Sequence, residues 1–299
     1  MTIQFDQNAK FEDIIGQEKV KKQLKSALMA RRNIILVGAP GLGKTTLAKN
    51  IARLLPTNEG KKTPFVRVQG SPDLTAEDLL GDIDPIKALK FGPTSQEAFS
   101  PGKIFEANKG VLFFDEVNRC SEKLQNALLQ ALEEKKVTIG SYKVDFDADF
   151  VFIGTMNPED TSTEPLSDVF LDRFDFVYVD YPETLQMEHQ IVLKSGQEHI
   201  EFPEKLLLGT LGFIRSLRKD KNVEKKPSIR ASIGLYERAQ TNAMLSGRNK
   251  VSPKDVQEVL ISVLSHRIRL KPSVKYLKAP EKYLTEEYEK YSADKGKYL

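Results

Sequence analysis

The chain has 299 residues, with 45 basic and 42 acidic side chains, three histidines and a single cysteine, Cys120. Charges that nearly cancel exclude an overall field aimed at nucleic acid or an anionic membrane, and one cysteine excludes an internal disulfide. No Cys/His cluster has zinc spacing, and neither a signal-peptide order at the start nor an apolar run of membrane-spanning length occurs. The expectation is a soluble, cytoplasmic protein with a core domain and a smaller companion.

In chain order, "NIILVG" (33 to 38) is a short run rich in branched apolar residues, followed by a glycine-rich segment and then by "TTLAKNIARLL", whose apolar residues recur at helical spacing. This is strand, loop, helix. "GAPGLGKTT" between them has the form G-x-x-x-x-G-K-T in the setting a phosphate-binding loop requires. Glycines let successive N–H groups face phosphates, and the helix N-terminus adds a favourable field. Gly38, Ala39, Pro40, Gly41, Leu42, Gly43, Lys44, Thr45 and Thr46 are the candidate nucleotide contacts; Lys44 reaches the outer phosphates and Thr45 holds magnesium.

Further strand-like runs are "FVRVQG" (65 to 70), "GVLFFDE" (110 to 116), "DFVFIGTMN" (149 to 157) and "FVYVDY" (176 to 181). About five buried parallel strands in a doubly wound α/β domain is the economical reading. "VLFFDE" carries Asp115 and Glu116 to a strand's C-terminal end, where ligands bind in this architecture. Asp115 suits a water-mediated magnesium contact, and Glu116 suits orienting the attacking water. Gln69, ending the second strand, is a candidate polar switch on Glu116. "SEKLQNALLQALEE" is an amphipathic helix with Ser121 as cap and Leu124, Ala127, Leu128, Ala131 and Leu132 on one face. Cys120 reads as a small packed residue at that helix start.

The connection 81 to 105 is longer than ordinary and therefore functional or disordered. Residues 135 to 150 read as a hairpin turning near Gly140 and Ser141. After Pro182 helical patterns take over through roughly residue 268. "VSPKDVQEVLISVLSHRI" is the clearest, with Ser252 as cap, Pro253 at the first helical position and Val256, Val259, Leu260, Val263 and Leu264 as its buried stripe. From Lys271 the tail carries seven lysines, five acids and five of nine tyrosines with little helical periodicity. The expected domains are 1–183, 184–270 and the charged tail 271–299.

With the phosphate loop and "VLFFDE" in place, residues 12 to about 268 resemble the AAA+ ATPases: a P-loop core with a five-stranded parallel sheet, then an all-helical lid. The resemblance implies ATP and Mg2+ as cofactors and an adenine-side segment at "IIGQ", with Ile15 and Gly16. It also implies a first sensor at Asn157 in "TMNP", an arginine finger at Arg173 in "FLDRFD" and a second sensor at Arg230 in "SIRAS". Read without it, Asn157 before Pro158 also suits a turn and Arg230 a solvated helix face. A buried Arg173 pairing with Asp172 or Asp175 is the alternative to an arginine anchored by Phe170, Leu171 and Phe174 that projects outward and serves no site of its own subunit.

The 81–105 insert and the 135–150 hairpin resemble the clade of MoxR ATPases and the magnesium chelatase I subunit. "PGKIFEANKGVLFFDEVNRCSEKLQNALLQALEE" is especially similar to MoxR proteins, and Asn118 and Arg119 keep their "NR". The resemblance implies a homo-oligomeric ring, commonly a hexamer, with Arg173 acting in trans, a von Willebrand factor A domain partner and a protein client. A chelatase-type motor for metal insertion is the related alternative. A DNA motor is opposed by the charge balance and by the scattered Lys87, Lys90, Lys135, Lys136 and Lys143, which alternatively line a pore. A nucleotide-locked scaffold is opposed by intact Lys44, Glu116 and Arg173.

Overall fold

The computed structural model describes residues 11–54, 63–92, 95–138, 145–158 and 166–295. It divides into two compact units: Met1–Ala39 with Gly43–Asp180 form one, and Pro40–Leu42 with Tyr181–Leu299 the other.

The first unit is built on five parallel strands, β1 (Asn33–Val37), β2 (Phe65–Gln69), β3 (Val111–Asp115), β4 (Val151–Met156) and β5 (Phe174–Tyr178). Their order across the sheet is β2-β3-β4-β1-β5. Ile34, Ile35, Leu36, Leu112, Phe113, Phe114, Phe152 and Ile153 are wholly buried, as strands covered on both faces require. β5 begins two residues earlier than its apolar alternation suggests, at Phe174, which pairs with Asn33. Parallel register sets Gln69 beside Asp115 at the C-terminal edge, the edge that also ends in Val37 and Met156.

Three longer helices flank the sheet: α1 (Glu18–Met29), α2 (Lys44–Leu54) and α3 (Glu122–Glu134). Each buries an apolar stripe at helical spacing, Val20, Leu24, Ala27 and Leu28 in α1 and Leu47, Ala48, Ile51 and Leu54 in α2. On α3 the buried set is Leu124, Gln125, Leu128 and Ala131. Gln125 enters the core because its amide is satisfied: Nε2 donates to the Cys120 carbonyl at 3.3 Å and Oε1 accepts from Ser167 N at 3.2 Å. Ser121 stands at the N-cap position but makes no side-chain capping bond, so the expected cap is not formed.

The described residues of the 81–105 connection, 81–92 and 95–105, form short elements. Strands Gly81–Ile83 and Phe99–Pro101 pair antiparallel and enclose a helix, Pro85–Phe91, that Asp84 caps at the N–H groups of Ile86 and Lys87. The later hairpin pairs Lys136–Thr138 with Asp145–Asp147; its turn, with Gly140, Ser141 and Lys143, lies outside the described residues. Phe146 of the hairpin sits 5.0 Å from the Phe99 ring and 5.6 Å from the Phe105 ring, joining the two insertions through one aromatic cluster.

The second unit packs α4 (Leu185–Ser195), α5 (Glu204–Lys219), α6 (Ile229–Leu245), α7 (Pro253–Leu264) and α8 (Pro280–Lys295) around one core. The stripe Val256, Val259, Leu260, Val263 and Leu264 is buried as its spacing predicts. Ser252 donates from both its N–H and its hydroxyl to the Asp255 carboxylate, pinning the start of α7. Two short strands missing from the apolar pattern, Val223–Lys225 and Arg269–Leu270, pair antiparallel.

The tail departs from its expected lack of helical order. α8 buries Tyr283, Leu284 and Tyr288, and the Tyr288 and Tyr291 rings lie 5.1 and 5.6 Å from that of Phe213. Its inward face is made largely of tyrosine, an apolar body with a polar tip, so a pattern that scores tyrosine as polar hides the helix. Among the described residues no helix is long and apolar enough to cross a membrane.

Candidate active site at the C-terminal edge of the sheet

The phosphate-loop residues leave the end of β1. Gly38 N donates to the Met156 carbonyl at 3.2 Å, tying the loop to β4. Gly41 and Gly43 take φ of 80° and 85°, a region that side chains disfavour. The space beside Gly43 is open, so backbone conformation rather than crowding demands glycine there. α2 starts at Lys44, which places half-buried Thr45 and exposed Thr46 in its first turn with the N–H groups no helix can satisfy internally. Lys44 Nζ donates to the carbonyls of Gly38 at 2.5 Å and Ala39 at 2.9 Å, so the ammonium is already at the loop that phosphates would approach.

Asp115 ends β3 with both oxygens engaged. Thr155 Oγ1 donates to Oδ1 at 2.6 Å, and Arg67 Nη2 donates to Oδ2 at 2.7 Å. Glu116 follows with φ of 57°, a left-handed conformation rare outside glycine, and its N–H donates to Thr155 Oγ1 at 2.9 Å. Gln69 Nε2 donates to Glu116 Oε2 at 2.9 Å, and Arg119 Nη1 stands 3.1 Å from the same oxygen. Half-buried Asn157 follows β4 at this edge, and its carbonyl accepts a long bond from Asn118 Nδ2 at 3.5 Å. Edge position thus brings the Gly38 end of the loop, Asp115, Glu116, Gln69 and Asn157 to one side of the sheet.

The Ile15–Gly16 segment is fastened nearby from two directions. Gln17 Nε2 donates to the Asp180 carbonyl at 2.6 Å, and Asp13 pairs with Arg53 of α2. Val179 N in turn donates to the Val37 carbonyl at 2.8 Å, so the chain beyond β5 runs beside the residue that precedes Gly38. Arg230 stands exposed in the first turn of α6, in the second unit.

Arg173 requires a correction. It neither pairs with Asp172 or Asp175 nor projects free of its own chain. Asp175 faces Arg32, with Oδ1 and Nη2 at 3.2 Å, whereas Arg173 donates from Nε and Nη2 to Glu133 of α3 and from Nη1 to the Val169 carbonyl. Phe170 and Phe174 are buried beneath it, as expected of anchors, while Leu171 is half-buried.

Sequence reasoning gave no site role to Arg67, Thr155 or Glu133, and named Arg119 only for its resemblance to MoxR proteins. Arg67 had a usable signal, since residues two apart on a strand share a face and Arg67 therefore shares that of Gln69. Thr155 stands likewise two residues before Asn157. Glu133, 40 residues from Arg173, carried no local signal. Cys120 is buried with its N–H bonded to Val117, and loss of hydration pushes its thiol up to about 12, which leaves it a packing residue.

The donor set fits magnesium. A threonine hydroxyl and one carboxylate are hard oxygen ligands, and Mg2+ characteristically takes few protein ligands and keeps waters and phosphates.

Two family models match this chain: an AAA domain (dynein-related subfamily) over residues 33–174 and an AAA lid domain over residues 216–284. The chain belongs to the AAA+ ATPases. Relatives of the ATPase include YeaC of Bacillus subtilis (strain 168), 29% identical over 88% of this chain and 85% of that protein. The chaperone MoxR1 of Mycobacterium tuberculosis is 27% identical over 86% and 73%. A magnesium-chelatase subunit ChlI homolog of Methanocaldococcus jannaschii is 27% identical over 88% and 86%. ATP binding and hydrolysis are the ATPase's chemistry, and the sheet-plus-lid architecture is that of its family.

Proposed function

We propose that this ATPase is a MoxR-type remodelling factor, which spends ATP turnover on assembling or maturing a client protein together with a von Willebrand factor A domain partner. The observation that carries the reading is the Gln69–Glu116 bond of 2.9 Å beside Asp115. A hydrolytic carboxylate held by a residue of the neighbouring strand belongs to an enzyme whose turnover waits for a signal. Similarity to the chaperone MoxR1 supports the kind of client.

In this reading Gly38–Thr46 bind the phosphates of ATP, with Lys44 on the outer ones, and Ile15 and Gly16 flank the adenine. Thr45 and Asp115 would hold Mg2+, which supplies positive charge to the phosphate oxygens when bound. Glu116 and Asn157 orient water towards the γ-phosphate, and Glu116 accepts its proton. Arg230 senses the phosphates from the lid. The working form is a homo-oligomeric ring, a hexamer, in which Arg173 of one subunit faces the nucleotide of the next. The expected domains are the α/β core 1–183, the lid 184–270 and the charged tail 271–299.

Glu116→Gln should bind ATP and retain it, so this variant is the one to purify with ATP from native extract. Mass spectrometry should then find a von Willebrand factor A domain protein and a client at stoichiometric yield; recovery of a porphyrin-binding subunit instead would establish the chelatase-type alternative, which the ChlI homolog favours. A DNA motor is supported less. Lys87 lies 3.8 Å from Asp84 and Lys135 3.0 Å from Asp149, so two of the described insert and hairpin lysines have acids beside them.

A further inference from the structure

Two side chains, Arg67 and Gln69, stand in a row between Asp115 and Glu116, and Arg67 has no assigned role. Arg67 Nη2 has two hydrogens. One meets Asp115 Oδ2 at 2.7 Å and the other meets Gln69 Oε1 at 3.3 Å. The Gln69 amide then turns its Nε2 to Glu116 Oε2 at 2.9 Å. We propose that Arg67 is a positioning residue that links the state of Asp115 to the restraint on Glu116, through the orientation of the Gln69 amide.

Electrostatics fixes that orientation. With the amide as it stands, its carbonyl faces a cation and its NH2 faces an anion. Rotated by half a turn, the NH2 would face the guanidinium and the carbonyl would face the carboxylate, which exchanges two attractive contacts for two repulsive ones. Gln69 restrains Glu116 with a donor because Arg67 occupies its acceptor. Without Arg67 only the Glu116 carboxylate orders the amide, so one of the two contacts that favour this orientation is gone and the hold on Glu116 weakens.

The same guanidinium bears on Asp115. That side chain is 14% exposed, whereas Arg67 is half exposed. A positive group 2.7 Å from the carboxylate opposes a second positive charge arriving there, by an amount that solvent at the exposed arginine reduces but does not abolish. Asp115 therefore serves a magnesium-bound water at the expense of Arg67. An arginine displaced from Asp115 no longer sits where it orders Gln69, so the restraint on Glu116 loosens in the metal-loaded site and holds in the metal-free one. This link rests on the reading of Asp115 as the magnesium-side carboxylate and Glu116 as the water-orienting one.

The test titrates Mg2+ against binding of a fluorescent, non-hydrolysable ATP analogue to the full chain, and separately measures basal ATPase. Arg67→Met should lower the half-saturating Mg2+ concentration by about tenfold and raise basal turnover several-fold. Arg67→Lys, which keeps the charge without the planar fork, should restore the Mg2+ midpoint towards that of the unmodified protein. In a Gln69→Ala background, Arg67→Met should still shift the midpoint but should no longer change turnover. A midpoint within twofold of the unmodified protein for Arg67→Met, or a turnover effect that persists without Gln69, overturns the proposal. Asp115→Asn separates the two levels. If it leaves the Mg2+ midpoint unmoved, the metal-side reading itself fails; if it moves the midpoint while Arg67→Met does not, only the link through Arg67 fails.

Discussion

Arg173 is held within its own chain by Glu133: Nε donates to the carboxylate at 2.6 Å, Nη2 donates to the same oxygen, and Nη1 reaches the Val169 carbonyl at 2.7 Å. Glu133 lies in the last turn of α3, whose end runs through Lys135 directly into the 136–147 hairpin. The arginine is 31% exposed and the glutamate 50%, so the pair contributes roughly 0–1 kcal/mol and separates cheaply. An arginine docked this way is preorganised yet available to a neighbour.

The proposed sharing of sites between subunits can be tested at this arginine. Arg173→Ala should cost about a thousandfold in turnover while leaving binding of the fluorescent nucleotide intact, and Lys44→Ala should abolish binding. Mixed rings of the two variants contain interfaces with an intact loop on one side and an intact arginine on the other. ATPase assays on such mixtures should recover activity; mixtures shown by native mass spectrometry to be co-assembled and still inactive would refute action in trans. Glu133→Gln should change turnover with little change in the melting temperature.

Gly70 tests the fit of β2 against the Glu116 turn. Its N–H donates to the Asp115 carbonyl at 2.7 Å, and a Cβ built on it would lie 2.2 Å from the Glu116 carbonyl oxygen. Backbone must shift to admit a methyl group, and the residue that shifts is the one proposed to orient water. Gly70→Ala should lose stability by about 1–3 kcal/mol and turnover by at least tenfold. A denaturant titration and an ATPase assay check both. Full turnover would show that Glu116 tolerates displacement and weaken its assignment.

The sequence made the outline of this site readable because its parts are local. A strand, a glycine turn and a helix start are adjacent in the chain, and Asp115 and Glu116 advertise themselves at the end of an apolar run. What stayed hidden was lateral. Arg67 reaches Asp115 across a parallel register that apolar runs do not encode, and Glu133 meets Arg173 only because α3 and the turn before β5 fold together. The tail helix stayed hidden for another reason, since its buried face uses Tyr283 and Tyr288, whose hydroxyls make the pattern look polar. The Tyr283 hydroxyl donates to Asp220, and burial together with that carboxylate raises its pKa.

Cys120 should be inert in the folded protein. It is 1% exposed, and burial holds its thiol at about 12, so the thiolate fraction at neutral pH is negligible. Alkylation by iodoacetamide should be undetectable under native conditions and complete in denaturant, followed by intact mass. Cys120→Ser should keep nucleotide binding and turnover, at the cost of a less apolar packing group beside Val117 and Leu124. Rapid native alkylation would mean that the turn between β3 and α3 opens readily.

Acid should loosen the second unit first at Glu188. This carboxylate is wholly buried, and burial alone would raise its pKa. Bonds from Arg218 at 2.6 and 2.8 Å, Ser232 at 2.6 Å and Arg215 at 3.3 Å outweigh that and hold it below the ordinary carboxylate value. A depressed folded pKa contributes stability that is fully present above the unfolded value near 4.5 and is lost as pH falls through the lower folded one. Ser232 lies two residues beyond Arg230, and Arg215 also donates to the carbonyls of Pro182 and Glu183, so one buried acid joins the chain before α4 to the start of α6. Glu188→Gln leaves Arg218 buried against a neutral partner and should cost about 3–5 kcal/mol, measured by urea unfolding at pH 7. The same variant should show a flatter loss of stability between pH 5 and pH 3 than the unmodified protein. Parallel acid limbs in the two proteins would show that Glu188 is not the group being protonated.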